Sequence, residues 1–381
     1  MNIISKNTKP KVLVCGVLPP PYFGHSAMYK MLMDSSFPAK MQVRFLNMQF
    51  WSYQAHKKVT VEKIFKMAKY YFQYVVAIVF WRPRYVLYNS SFYRMPFLKD
   101  FLFCATGVAF GRRVVFHDFG QYVRELHDVL PFWQRIMLRW MLRHAAGSIV
   151  MGESVCAAYE GFMDNKKIFV VPGVVENTRG WDVQPSRPAA ELLNVLYFSN
   201  MSKLKGIFVA FEAAEKILSA RRDVAVTFAG PIESTEVALR LEELQKGYSG
   251  RVNYMGYVED VRERTAIFRG ADVFMFTTLR DSFGLVLLHA MAEGVPIVAS
   301  REGAIPEVVA DGQTGFLCEK GKAEDFAQKI IQFLSDDTLR KKMSVDSRAR
   351  FESFYNLEQY GKRMVDVFVR LSAKEGKVDL K

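Results

Sequence analysis

Residues 280–300 read RDSFGLVLLHAMAEGVPIVAS. An acid, a Ser-Phe-Gly turn, an apolar helical run and a short strand follow one another without a break. Asp281 or Ser282 suits the N-cap of a helix that starts near Gly284, because a short polar side chain can accept from the first-turn amides. Those amides also attract anions. His289, eight residues after Asp281, lies one turn past Leu285 on one helix stripe. Its imidazole either reaches a ligand hydroxyl or is a satisfied, half-buried group. The closing run VPIVAS is short and apolar, as expected of a strand covered on both faces.

The same alternation extends outward in both directions. Upstream in the second half lie NVLYFS, VAVTFAG, RVNYMGY and DVFMFTT, separated by helical stretches. The first half repeats the pattern with KVLVCGV, MQVRFLN, RYVLYNS, RVVFHDF, GSIVMG and IFVVPG, and with helical runs such as HSAMYKMLMD, MPFLKDFLFCATGVAF and WQRIMLRWMLRHAA. Near-continuous apolar strands joined by helices imply parallel sheets with helices on both faces. The stretch 176–191, ENTRGWDVQPSRPAAE, is polar, holds two prolines and has no period, so it reads as a linker. The expected architecture is therefore α/β: two Rossmann-like, doubly wound domains, 1–175 and 192–353, followed by one more amphipathic helix over about 354–381. Ligands of such sheets bind outside the carboxyl ends of the strands, which places the expected site in a cleft between the domains.

A chain of 381 residues with 50% hydrophobic residues has the length and composition for two packed cores. Its charge is uneven. Residues 1–175 hold 23 Lys+Arg against 9 Asp+Glu and the remainder 29 against 30, so the formal +13 resides in the first half. The asymmetry points to an anionic partner for that half, whether nucleic acid, an anionic membrane surface or a phosphorylated substrate, the alternative being a merely solvated basic face. The cysteines, Cys15, Cys104, Cys156 and Cys318, are scattered, which suits neither a disulfide framework nor a zinc site and fits a reducing cytosol. The apolar run 12–18 is bounded by prolines and lacks a cleavage site, and reads as a first strand rather than a leader. The aromatic run 64–84 has a longest nearly uncharged part of 12 residues, 70–81. At about 18 Å as a helix it is too short for a hydrocarbon core of about 30 Å. It packs on a sheet, or it exposes aromatics beside Lys57, Lys58, Lys63, Lys66 and Lys69 to an anionic lipid surface.

Four loops carry candidate chemistry. After the first strand, three prolines lead to Gly24, where a glycine permits close backbone approach at a helix N-terminus. No G-x-G-x-x-G is present, so dinucleotide binding is unsupported. His117 and Asp118 end the strand RVVFHD and would both face the cleft. Asn200, Lys203 and Lys205 follow NVLYFS. Lys205-Gly206 sets an ammonium beside a helix N-terminus, a pairing that suits a diphosphate, although the P-loop pattern is absent. Asp281 opens the fourth loop.

Taken together, KG in SNMSKLKG, the glycine of FAGP, GY in VNYMGYVED, the 272–300 block, GAIPEVV and DGQTGFL resemble, in order and spacing, glycosyltransferase family 4, a retaining family of GT-B fold. The PPPYFG loop, the HD of VVFHDF and VVPG add weaker agreement from the first half. The resemblance implies sugar transfer from a nucleotide-diphosphate-sugar donor with retention and without a metal or other cofactor. It implies a donor site in the second domain, an acceptor site in the first, and a terminal helix that crosses back to the first. The basic first half then suits a glycan or lipid-linked acceptor of cell-envelope polysaccharide synthesis, in the cytoplasm or at the inner membrane face.

Residue by residue, the resemblance sets Gly24 near donor phosphate and acceptor, His117 at the donor sugar, and Lys205 on the diphosphate. It sets Gly230 with the Tyr257–Val258 backbone at the base, and Phe283, Gly284 and Leu285 at the turn whose amides meet sugar and phosphate. Three departures from the family stand out: the Gly-Arg pair, the first acid and the second acid. Ser199-Asn200 replaces Gly-Arg, which removes one diphosphate cation unless Lys203 substitutes. Asp281-x7-His289 replaces Glu-x7-Glu, so Asp281 would grip the donor sugar and His289 the ribose, through one unprotonated nitrogen. Competing expectations are a sugar-nucleotide binder without turnover and a GT-B epimerase or hydrolase. A nucleic-acid binder lacks any recognition motif.

Overall fold

In the computed structural model all eleven runs read as strands are strands, and a twelfth, Gly315–Cys318, joins them. The structure describes residues 9–20, 22, 24–49, 61–90, 92, 96–120, 123–186 and 192–373. The chain divides into two compact units, Met1–Gly173 with Leu357–Lys381, and Val174–Asn356.

The first unit runs β1 (Lys11–Gly16), α1 (Gly24–Asp34), α2 (Phe37–Lys40), β2 (Gln42–Asn47), α3 (Val61–Val76), β3 (Tyr85–Ser90), α4 (Phe97–Ala109), β4 (Arg113–Asp118), α5 (Val123–Val129), α6 (Phe132–His144), β5 (Gly147–Val150), α7 (Glu153–Cys156) and β6 (Ile168–Val170). Its sheet is parallel, in the order β2-β1-β3-β4-β5-β6. Because strand side chains alternate, β4 sends Val114 and Phe116 into a core with Tyr74, Phe103 and Leu138 of α3, α4 and α6. The opposite face of the sheet meets α1, where the Tyr29 ring lies against His117.

The second unit runs β7 (Leu193–Phe198), α8 (Ile207–Ala220), β8 (Val224–Ala229), α9 (Thr235–Gly247), β9 (Val252–Tyr254), α10 (Val261–Arg269), β10 (Val273–Phe276), α11 (Leu285–Ala292), β11 (Ile297–Ser300), α12 (Ile305–Val308), β12 (Gly315–Cys318), α13 (Ala323–Ser335) and α14 (Asp337–Phe354). Its sheet, also parallel, is ordered β12-β11-β10-β7-β8-β9. Local chemistry sets several helix starts. Ser234, Asp260 and Asp336 each accept an amide of the first turn, from Val237, Glu263 and Leu339.

One expectation about boundaries needs correcting. The stretch read as a linker is held in the second unit over its described part, 176–186. The Arg269 guanidinium donates to the carbonyls of Trp181, Val183 and Thr178 at 2.7–3.0 Å, and the Ser186 amide donates to Ala266 at 2.8 Å. Polar side chains of the stretch bond within the unit as well: Asn177 accepts from Arg348 at 2.8 Å and Arg179 donates to Glu352 at 2.7 Å. Residues 187–191 lie outside the described part. The terminal helix, expected over about 354–381, is a helix of its own, described as far as Ala373. α14 stops at Phe354, and α15 (Leu357–Ala373) begins after Tyr355 and Asn356. α15 packs in the first unit: Phe368 meets Tyr85 and Phe37, and Arg113 donates to the Leu371 carbonyl at 2.9 Å.

Gly206 and Gly250 share a left-handed φ, +68° and +75°, but a Cβ on Gly206 would stand 1.9 Å from the Thr277 carbonyl oxygen, whereas Gly250 has open space. Gly250→Ala should cost only the left-handed penalty, about 1–2 kcal/mol. Gly206→Ala should cost at least about 3 kcal/mol, because the backbone must also part. Urea unfolding midpoints of the two variants test this, and equal losses would show the close approach to be immaterial.

Candidate active site

At the carboxyl edge of the second sheet, three glycines let neighbouring turns touch. Gly206 lies under Thr277 as described, and a Cβ on Gly230 (φ +127°) would lie 1.9 Å from the Ser199 carbonyl oxygen. A Cβ on Gly303 (φ +52°) would lie 2.2 Å from that of Asp281. Backbone bonds tie the same turns. Leu279 and Arg280 amides donate to the Leu204 carbonyl at 3.0 and 3.1 Å, and Ala304 donates to Ser282 at 3.0 Å.

This arrangement brings Lys205 and Asp281 together. Lys205 Nζ donates to Asp281 Oδ2 at 2.5 Å, and Asp281 Oδ1 accepts from the amides of Phe283 (3.1 Å) and Gly284 (2.9 Å). Asp281 therefore holds the entrance of α11 and a lysine at once. Gly284 takes φ +75° there, and Leu285 is the first residue of the helix. The Phe283 ring is buried, 6.2 Å from that of Tyr355, so this residue meets the edge through its backbone.

The residues that the resemblance sets at the base also meet. The Gly230 amide donates to the Gly256 carbonyl at 2.7 Å, and Tyr254 Oη donates to the Gly230 carbonyl at 3.0 Å. This sets the turn after β8 beside Tyr257, which is exposed, and Val258, which is buried. Asn200 is exposed, and its carbonyl accepts from the Ser202 amide. Lys203 does not join Lys205. Its side chain is 66% exposed, pairs with Glu236 at 2.8 Å and lies over the Phe208 ring at 5.5 Å. The expected stand-in for the missing cation is thus occupied on the first turn of α9.

His289 sits in other surroundings. It is half-buried and lines a small cavity with Glu176, Thr178, Arg264, Phe268 and Glu293. Burial, aided by the Arg264 charge, holds its imidazole well below the usual histidine range, so it is neutral. Arg264 pairs with Glu176 at 3.5 Å. Sequence reading singled out neither residue: they lie far apart in the chain, and one falls in the supposed linker.

In the first unit, His117 ends β4 fully buried, its ring 4.2 Å from that of Phe119 and 5.4 Å from that of Tyr29. Among the described residues neither ring nitrogen has a hydrogen-bond partner, and burial lowers its pKa to about 3. Gly24 opens α1, followed by His25, whose pKa burial lowers to about 4 and whose ring lies 6.3 Å from that of Phe119. His25 and Tyr29 were not singled out by motif, although His25 directly follows the glycine that was. Asp118 does not share the surroundings of His117, because successive strand residues point to opposite faces. It accepts from Tyr159 Oη at 2.6 Å and from the Gly120 amide at 2.8 Å, and burial raises its pKa to about 6. Among the described residues no group of three or more His, Cys, Asp or Glu is placed to hold a metal ion, and no helix is long and apolar enough to cross a membrane.

Known structures share this pair of sheets. The chain superposes on sucrose-phosphate synthase from Thermosynechococcus elongatus with a TM-score of 0.74 at 17% identity, covering 96% of this chain and 100% of that one. The fold is GT-B. Anabaena Alr3699/HepE in complex with UDP gives 0.70 at 16% identity, over 94% and 99%. Residues 183–350 match the family model for glycosyl transferases group 1. Over 162 residues the chain is 35% identical to the N-acetyl-alpha-D-glucosaminyl L-malate synthase of Bacillus anthracis, covering 42% of this chain and 40% of that protein. The chain thus spans about two fifths of the length of the curated relatives it matches.

The buried, partnerless imidazole of His117 gives a test. A histidine with a folded pKa near 3 takes up its proton mainly on unfolding, so stability falls as pH drops from 6.5 towards 3. His117→Phe should be more stable than the parent by about 1 kcal/mol near pH 7, because it removes unsatisfied buried nitrogens. Its advantage should widen below pH 6.5, at up to about 1.4 kcal/mol per pH unit. Urea unfolding at pH 4.5, 5.5 and 7 measures this, and an advantage that shrinks on acidification would refute it.

Proposed function

We propose that this protein is a retaining glycosyltransferase that moves a sugar from a nucleotide-diphosphate donor to a glycan or lipid-linked acceptor, with no metal or cofactor. The observation that carries the reading is the Lys205–Asp281 pair at the mouth of α11, on a sheet edge built by glycines. A donor diphosphate competes with Asp281 for the Lys205 ammonium. Lys205 then offsets the negative charge that grows on the leaving group, and the released Asp281 oxygen accepts from a sugar hydroxyl. The turn at Phe283, Gly284 and Leu285 takes the sugar and phosphate side. Gly230 with the backbone of Tyr257 and Val258 takes the base. His289 offers one nitrogen lone pair to the ribose.

In the reaction, the bond from the anomeric carbon to the diphosphate oxygen breaks. A bond to the acceptor oxygen forms on the same face, and the acceptor proton leaves with the nucleoside diphosphate. His117 and Gly24 serve the sugar and acceptor from the first unit. A neutral imidazole suits that role, since its hydrogen-bonding does not change across ordinary pH. Alr3699/HepE, which shares the fold, is solved in complex with UDP, and a uridine donor is therefore the first to try. An anionic, envelope-polysaccharide acceptor at the inner face of the cell membrane follows from the basic first half and from the resemblance to family 4.

Thermal unfolding with UDP, GDP and ADP tests the donor site. A ligand at 100 times its dissociation constant adds about 2.7 kcal/mol, a rise of several degrees for units of this size. Lys205→Ala should abolish that rise and, once a donor and acceptor are found, lower kcat/KM about 100-fold. Lys203→Ala, whose partner is Glu236, should change it less than about threefold. A larger loss at Lys203 would overturn the assignment of the loop. A rise with UDP but no donor turnover or hydrolysis would convert the reading to a binding protein.

A further inference from the structure

α3 has two faces. Tyr70, Tyr71 and Tyr74 turn inward and donate or share hydrogen bonds with Gln49, Thr106 and Phe103. Outward, Val61, Phe65, Ala68, Phe72 and Val76 of α3, with Phe80 of the π-helical turn Ala77–Trp81 that continues it, recur every three or four residues and all are exposed. Phe65 is 71% exposed, Phe72 68% and Phe80 80%. Helices α4 and α6 lie in the same layer, joined by the packing of Phe101 on Trp140 at 5.6 Å. Their outer surfaces add Leu98 and Leu102 from α4, and Phe132 (78% exposed), Trp133 and Ile136 from α6. Isolated exposed apolar residues are ordinary, whereas a continuous face of large aromatic and aliphatic side chains marks a contact surface.

The charge beside this face selects the occupant. α6 carries Arg135, Arg139 and Arg143 and no acidic residue. α3 carries Lys63, Lys66 and Lys69 against a single acid, Glu62. A second copy of the chain would bring two basic faces together, while an anionic bilayer surface satisfies both the apolar stripe and its cationic flanks. We propose that α3, α4 and α6 form a docking face for an anionic lipid surface, with Phe65, Phe72 and Phe80 entering the acyl boundary and the lysines and arginines at the headgroups. Of the basic residues first noted near this stretch, Lys57 and Lys58 lie outside the described residues, and the face extends instead across three helices. The proposal stands apart from the transferase reading: nucleotide binding and lipid binding can each fail without the other.

The test is co-sedimentation of the full chain with phosphatidylglycerol or phosphatidylcholine vesicles. Partition should favour the anionic vesicles at least tenfold and weaken at high salt. Phe72→Asp with Phe80→Asp should lower it at least tenfold without moving the thermal midpoint, because both rings face solvent. Ile136→Asp on α6 provides an independent arm should the double variant fold poorly. Equal, negligible binding to both vesicles overturns the proposal. So does a lipid-free dimer that these substitutions convert to monomer without affecting vesicle binding.

Discussion

The approach of the Gly206 backbone to the Thr277 carbonyl is the contact on which the second unit's edge depends. No other residue type fits there, because a Cβ would lie inside the carbonyl oxygen's contact distance and would have to accept a left-handed φ as well. Gly230 and Gly303 repeat the device against Ser199 and Asp281. The three contacts fix the spacing of turns that leave β7, β8, β10 and β11. They also deliver Lys205 to Asp281 across 76 residues of chain. Without that spacing the ammonium, the carboxylate and the entrance of α11 would be separate surface features.

Burial, more than charge pairing, governs His117 and His289. His117 is enclosed by aromatic rings and His289 by Phe268 and a nearby Arg264, and each is held neutral. A neutral imidazole is a directional hydrogen-bonding group with one donor and one acceptor. That fits contact with hydroxyls better than contact with a diphosphate, which needs a cationic partner. Lys203 illustrates the converse. As a solvated lysine near an acid it pairs with Glu236, and loop proximity in sequence does not bring it to Asp281 beside Lys205.

The two units also use their surfaces differently. Net positive charge gathers in the first half of the sequence, and there the helices on one face of the sheet expose aromatic rows flanked by lysine and arginine. The second half is nearly neutral and shows no comparable row of exposed aromatics among its described residues.

Much of this was legible in the sequence because it rests on short-range periodicity. Continuous apolar runs marked eleven strands, and the Asp-Ser-Phe-Gly turn marked the start of α11. The twelfth strand, Gly315–Cys318, was missed because four residues after a turn carry too little pattern. The linker was misread because main-chain carbonyls that accept from Arg269 leave no mark on the side-chain pattern, and polar residues tied to distant side chains, as Asn177 is to Arg348, look the same in sequence as polar residues that bond to water. Local sequence determined the strand and helix order, the parallel sheets and the candidate loops, since propensity, caps and glycine conformation act over a few residues. Tertiary structure decided that Lys205 meets Asp281 while Lys203 does not, that Asp118 turns away from His117, and that Glu176 and Arg264 surround His289. Those outcomes depend on which turns and strand faces come into contact, and no local pattern encodes a contact between residues so far apart in the chain.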